Sequence, residues 1–255
     1  MTLISFRNIS KSFGSIHVMN ALSLDIKEGE TITIIGGSGS GKSVLLKLLL
    51  GLLEPDAGSI YFKGKDVAKM DELSLVDIRK DVGMLFQGAA LFDSLTVFEN
   101  VAYPIREHFK YSEEKINSLV HDKLRLVGLD GTENMAPSEL SGGMKKRVGL
   151  ARAIATEPSV ILYDEPTTGL DPANTMRINM LIRELQRKLG VTSIVVTHDM
   201  ASAFLVSDRL AMLYNRHIEF VGTVDEAKKS ANSVVQNFIQ GYIGGESDGE
   251  LSSPR

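Results

Sequence analysis

Cysteine is absent from the 255 residues, which excludes disulfides and thiolate chemistry and suits a reducing compartment. Long apolar runs are absent too. The most apolar stretch, Val44 to Leu53, is interrupted by Lys47 and falls well short of the roughly 20 residues that a membrane span needs. Any work at a membrane is therefore expected to pass through a partner. Ser5, Arg7 and Asn8 lie within the first residues, which do not read as a signal peptide. Positive charge is not in excess: the net charge of −4 gives no global attraction to nucleic acid, and no nucleic-acid partner is expected. No repeat at solenoid spacing occurs. What remains is enough chain to bury one large core or two small ones.

One stretch organises the rest. Gly36-Gly37-Ser38-Gly39-Ser40-Gly41-Lys42-Ser43 fits G-x-x-x-x-G-K-[ST], the phosphate-binding P-loop. Glycines let backbone N–H groups turn inward and approach a triphosphate. Lys42 can reach the β- and γ-phosphates as a point charge, and Ser43 offers a hydroxyl to Mg²⁺. The flanks agree with this. Thr31 to Ile35 is a β-branched apolar run, as in a buried parallel strand, and Lys42 to Leu50 is a Leu-rich helix. A Gly/Ser linker would not sit between the two.

Taken in order, Leu3–Ile9 and Ala21–Ile26 read as strands, Glu54 to Gly58 as a turn, and Ser59–Lys63 as another strand. These short β pieces predict an antiparallel sheet beside a nucleotide core. Ser74–Lys80 reads as a short helix and Val82–Phe86 as a strand ending at Gln87. Residues 88–157 form a helical insertion, with Ser112 capping Glu113 to Val127. Val160–Tyr163 and Val191–Val196 are buried strands, separated by a helix that Asp171-Pro172 opens. A hairpin turns at Asn215-Arg216, and Asp225 to Ile239 reads as one helix. Residues 244–255 have the Gly/Ser/acidic composition of a disordered tail. The predicted class is α/β: a P-loop NTPase core with a mainly parallel sheet, an antiparallel β subdomain and an α-helical subdomain, over residues 1–243 with a helical extension from about 225.

Two strand ends carry chemistry. In an open parallel sheet, ligands sit at the carboxyl ends of strands. Asp164 there can hold Mg²⁺ through water, and Glu165, one step further out, can polarise an attacking water as general base. His198 ends the other strand in the matching position and suits a γ-phosphate contact. Leu140-Ser141-Gly142-Gly143-Met144 is a second anion nest before a helix. A second nest with a single P-loop predicts a head-to-tail homodimer, in which Ser141, Gly142 and Gly143 of one chain meet the nucleotide held by the other.

This set, in this order, resembles the ATP-binding subunit of ABC transporters over roughly residues 1 to 225. In that likeness Gly36 to Ser43 is Walker A, Leu140 to Met144 the signature loop, Val160 to Glu165 Walker B, Gly169 to Asp171 the D-loop, and His198 the switch histidine. The resemblance implies that Phe13 stacks on adenine, and that Gln87 senses Mg²⁺ and the transmembrane subunit. It implies ATP and Mg²⁺ as cofactors, with Lys42, Glu165 and His198 at the chemistry and Ser43, Gln87 and Asp164 around the metal. Met144 departs from the family's usual Gln, so any polar contact from that side chain is lost. That Met, together with Phe86 to Pro104, is similar to the ATPases of Mla-type, MCE-associated phospholipid transport systems. Val235 to Gly241 is reminiscent of that subgroup's C-terminal extension, which often packs on the dimer mate.

The subgroup implies transmembrane permease subunits, accessory proteins with MCE and STAS domains, and a cytoplasmic position on the inner membrane through the permease. A transporter of another solute and a soluble assembly scaffold stay open as alternatives. A chromosome or DNA-repair ATPase would need a long coiled coil between Walker A and the signature, where only roughly a hundred residues without a heptad run lie. Ala89, Ala90, Leu91, Phe92, Leu95 and Phe98 are apolar enough to mark a permease-docking patch or to pack inside the helical subdomain.

Overall fold

The computed structural model describes residues 1–241. The expected tail at 244–255, and residues 242 and 243 of the expected extension, lie outside the described residues. Two sheets carry the chain. The first is antiparallel: β1 (Thr2–Phe13), β2 (Ile16–Lys27), β4 (Ala57–Phe62) and β5 (Lys65–Asp66) lie in the order β2-β1-β4-β5. The second has six strands: β3 (Thr31–Ile35), β6 (Val82–Leu85), β7 (Val160–Asp164), β8 (Thr192–Thr197), β9 (Arg209–Tyr214) and β10 (His217–Thr223). Its order is β10-β9-β3-β8-β7-β6, parallel except for the β9–β10 hairpin. Strand β4 begins at Ala57, which pairs with Ser10, so the last two residues of the expected turn are already in the sheet.

Strands β3, β7 and β8 are buried on both faces, as their unbroken β-branched runs require. Successive side chains alternate between two cores. Val160, Leu162, Ile194 and Val196 face a core shared with the antiparallel sheet and the P-loop helix α1 (Lys42–Leu49), which contributes Leu45, Leu46, Leu48 and Leu49. Ile161, Tyr163 and Val195 face a core built with the helical insertion. Helix α2 (Glu72–Asp81), capped by Asp71, leads into β6. The insertion holds α3 (Val97–His108), α4 (Glu113–Leu126) and α5 (Gly142–Ala153). Ser112 caps α4 as predicted, and a Thr96/Glu99 capping box starts α3. Helix α6 (Pro172–Leu189) opens on an Asp171 cap with Pro172 in its first turn, and α7 (Met200–Val206) follows β8.

The single helix expected over Asp225–Ile239 is two: α8 (Val224–Lys228) and α9 (Ser233–Ile239). The break has a local cause. Asn232 caps α9 by accepting from the Val234 N–H, which needs a non-helical backbone. Gln236 Nε2 donates to the carbonyls of Ala227, Lys228 and Ser230, tying α9 to the end of α8 across the gap. Val235 and Phe238 then pack with Met200, Phe204 and Met212 in a third, smaller core.

Asn100, on α3, is fully buried. Its Oδ1 accepts from the Phe92 N–H at 2.8 Å, and its Nδ2 donates to the Phe92, Leu95 and Thr96 carbonyls at 3.1, 3.2 and 2.9 Å. This one amide fixes the loop before α3. Asn100→Ala leaves those groups without their partner and is expected to lower the unfolding free energy by about 3 kcal/mol. Urea unfolding checks this: the midpoint should fall while the slope is kept.

Candidate nucleotide site

The parallel register gathers the chemistry. Ile35 pairs with Thr197, and Asp164 with Val196, so β3, β7 and β8 end on one edge of the sheet. Gly36, Glu165 and His198 each follow directly from those ends. The P-loop backbone is tight. A Cβ at Gly36 would lie 2.5 Å from the Leu213 carbonyl oxygen. Gly41 has φ 103° and would push a Cβ to 2.5 Å from Val18, so both positions require glycine.

Lys42 is buried, and its Nζ donates to the Gly36 and Gly37 carbonyls at 2.9 and 3.0 Å, curling back over the loop that precedes it. Burial lowers its pKa, while the nearby Glu165 and Asp164 carboxylates pull the other way. Ser43 Oγ donates to Asp164 Oδ1 at 2.7 Å, so two of the three side chains expected at the metal already meet. A cavity of about 400 Å³ opens here, lined by Phe13, the Ser38 to Val44 stretch, Gln87, Glu165 and His198. Phe13 ends β1 half-exposed, with Lys11 Nζ 5.5 Å from its ring centroid. Among the described residues no three His, Asp or Glu side chains form a metal cage. The Ser43 hydroxyl beside the Asp164 carboxylate is an oxygen donor set of the kind that suits Mg²⁺, which is commonly held by one or two carboxylates together with substrate phosphates. Ser40 Oγ is buried without a partner inside the loop, close to Gly36.

Glu165 is the most constrained residue of the site. Its φ of 47° lies in the left-handed region, uncommon for a side chain of this kind. Its carboxylate lies 3.0 Å from His198 Nδ1, accepts from Thr168 Oγ1 and Thr197 Oγ1 at 3.1 and 3.3 Å, and is 3.8 Å from Lys42 Nζ. Its N–H donates to the Val196 carbonyl at 2.9 Å.

Val18, which also lines the cavity, Thr168, Thr197 and Lys146 are the side chains here that sequence reasoning missed. Lys146 was legible only as one of several basic residues on a helix. A signal existed: Gly143, Lys146, Gly149, Leu150 and Ala153 share one buried stripe of α5 at helical spacing, and a lysine on such a stripe needs a reason.

Ser141, Gly142 and Gly143 are not brought to this cavity. They open α5, with Ser141 exposed as its cap and accepting from the Met144 N–H at 3.3 Å. Gly143 packs on Asn174, which is itself bonded to Asp171, so Asn174 links the expected signature and D-loop stretches within one chain. Met144 is half-buried against the helical core. That is packing where a glutamine would make polar contacts.

The apolar run after Gln87 divides. Ala89 is buried, and Leu91 and Phe98 pack on the helical core. Phe92 stays exposed against Tyr103, with ring centroids 4.9 Å apart. The two rings wall a groove of about 310 Å³ together with Met84, Phe86, Pro104 and Arg152. Arg152 donates to the Ala89 and Ala90 carbonyls at 2.8 and 2.7 Å and lies 5.8 Å from the Phe92 ring centre.

The ABC transporter family profile matches residues 19–168, more than half of the chain. The chain belongs to the ABC transporter family. An intermembrane phospholipid transport system ATP-binding protein, MlaF of Haemophilus influenzae, is 41% identical over 98% of this chain and 93% of its own. A probable ribonucleotide transport ATP-binding protein, mkl of Mycobacterium leprae, is 42% identical over 93% of this chain and 69% of its own. Among solved structures, the ATP-binding cassette MJ0796, a dimer in a post-hydrolysis state bound to ADP and Pi, is 33% identical. It superposes with a TM-score of 0.80 over 87% of this chain and 98% of that one. This ABC ATPase therefore has the α/β cassette fold expected from its motifs, and ATP hydrolysis is its reaction. No helix among its described residues is long and apolar enough to cross a membrane.

Proposed function

We propose that this ABC ATPase works as a head-to-tail homodimer driving phospholipid transfer between membranes through a permease. The end-to-end match to MlaF carries the reading, because it covers nearly all of both chains. The mycobacterial relative's name supports the other option, a transporter of a different solute. Accessory proteins with MCE and STAS domains, and a cytoplasmic place on the inner membrane through the permease, follow from the MlaF likeness.

In this reading Phe13 stacks on adenine, and the amides from Gly36 to Ser43 and Lys42 hold the phosphates. Ser43, Asp164 and Gln87 surround Mg²⁺, which when bound with ATP would draw charge from the β- and γ-phosphates. Glu165 accepts the proton of the attacking water. His198, 3.0 Å from it, fixes the carboxylate and faces the γ-phosphate. Ser141, Gly142 and Gly143 complete the partner's site, a role supported by their distance from their own cavity and by the dimeric neighbour.

The Phe92–Tyr103 groove is the docking surface for a cytoplasmic helix of the permease. It follows Gln87 in the chain, so a change at the nucleotide reaches it directly. Phe92→Asp puts a charge where an apolar partner would pack and should release the permease, while ATP affinity and melting temperature stay at wild-type values. Purification of the tagged chain from membranes, with mass spectrometry of bound protein and lipid, checks both halves. Phospholipid should accompany the wild-type complex, and added phospholipid should raise its ATPase rate. A permease without phospholipid, and a rate indifferent to it, would sink the lipid assignment. Unaltered permease recovery with Phe92→Asp would sink the docking groove.

A further inference from the structure

Lys146 is 5% exposed, yet no role in nucleotide binding falls to it. It lies one turn beyond the signature glycines on α5. Its Nζ donates to the Gln87 carbonyl and, at 3.2 Å, to the Glu165 carbonyl. Burial works against its charge, and the Asp164 and Glu165 carboxylates favour it. A methionine would fill the same stripe without burying an ammonium group, so packing does not account for a lysine here.

The contacts do account for it. One ammonium group ties three parts together: the helix that begins at the signature loop, the start of the segment leading to the groove, and the turn that bears Glu165. That turn is held by the Glu165 N–H on the Val196 carbonyl, and by both Lys146 and the Thr168 N–H on the Glu165 carbonyl, of which only Lys146 comes from another element. A backbone at φ 47° persists only where its surroundings over-determine it.

We propose that Lys146 is a positioning residue for hydrolysis, holding the Glu165 turn and the Gln87 backbone in register with the signature helix. It acts through Glu165 and touches neither nucleotide nor water. The proposal rests on Glu165 as general base. Its consequence is a split between chemistry and binding. Lys146 makes no hydrogen bond to a P-loop residue and reaches the Mg²⁺ site only through the Gln87 backbone, so ATP affinity should depend on it far less than turnover does, whereas a carboxylate displaced by an ångström loses most of its catalytic value.

The test uses the purified full chain, with Lys146→Met (unbranched, one atom shorter, no donor), Lys146→Arg (donors kept) and Glu165→Gln measured side by side. Lys146→Met should lose turnover at saturating ATP by about a hundredfold, with ATP affinity within about twofold of wild type. Lys146→Arg should recover at least about a fifth of wild-type turnover, because its fork can again serve both carbonyls. A folded Lys146→Met with wild-type turnover overturns the role, as does a loss matched by an equal loss of ATP affinity. If Lys146→Met does not fold, a folded Lys146→Arg decides: retained turnover supports the role, and lost turnover overturns it. A dead Glu165→Gln beside a fully active Lys146→Met removes the Lys146 role alone. Full turnover in Glu165→Gln removes the base assignment, and this use of Lys146 with it.

Discussion

Glu165→Gln is expected to lower ATP turnover by about a thousandfold and leave nucleotide binding intact, within the range by which a positioned general base accelerates proton transfer. The substitution keeps the shape of the side chain. An amide can still meet Thr168, Thr197 and His198, which now surround the carboxylate at 3.0 to 3.3 Å. What it loses is the negative charge and the lone pair that takes the proton. In the proposed site phosphate binding is set elsewhere, by Lys42 and the loop from Gly36, so ATP affinity should hold. Removing the carboxylate 3.8 Å from Lys42 also leaves that ammonium freer for the γ-phosphate, which should favour the ATP-bound dimer. Phosphate release at saturating ATP and size-exclusion chromatography with ATP read the two effects. Turnover within tenfold of wild type would remove Glu165 as the base. Lys42→Ala gives the contrasting result: lost nucleotide affinity, and with it lost turnover.

Much of this arrangement was legible in the sequence because each piece is local. The P-loop lies between a buried strand and a helix, and Val160 to Glu165 is a strand ending in carboxylates. Parallel pairing then leaves little freedom about where those ends meet. The contents of the helical subdomain were harder to read, because an apolar residue on a helix face does not say which neighbour covers it. Leu91 and Phe92 are adjacent and similar in the sequence, yet one packs inward and the other stands exposed beside Tyr103. The same limit hid Lys146. Its partners are main-chain carbonyls of Gln87 and Glu165, groups that every residue carries and that no motif can mark. The break between α8 and α9 was missed for a different reason. It depends on Asn232 and Gln236 satisfying backbone groups across the gap, which outweighs the helical preference of the flanking residues.

The proposed composite site yields the second large effect. Ser141→Arg is expected to abolish turnover in the homodimer although every P-loop is intact, because the arginine of each chain enters the γ-phosphate space of the other. Ser141 is exposed at the start of α5 and outside the residues lining its own chain's nucleotide cavity, so the lesion should not touch ATP affinity in the isolated chain. Losing its cap on the Met144 N–H costs about 1 kcal/mol, which a melting curve should confirm as a small change. Lys42→Ala homodimers should be equally inactive, for want of phosphate binding. Mixing the two chains separates this geometry from any alternative. In a head-to-tail pair, one site joins the Lys42→Ala loop to the Ser141→Arg signature and carries both lesions. The other joins an intact loop to an intact signature. With random pairing, half of the dimers hold one good site, and turnover should return to about a quarter of wild type if sites act independently. If each chain worked alone, or if the signature served its own nucleotide, mixing two dead chains would restore nothing. Mixed dimers confirmed by two affinity tags, yet inactive, would therefore refute the head-to-tail site and leave the P-loop assignment standing.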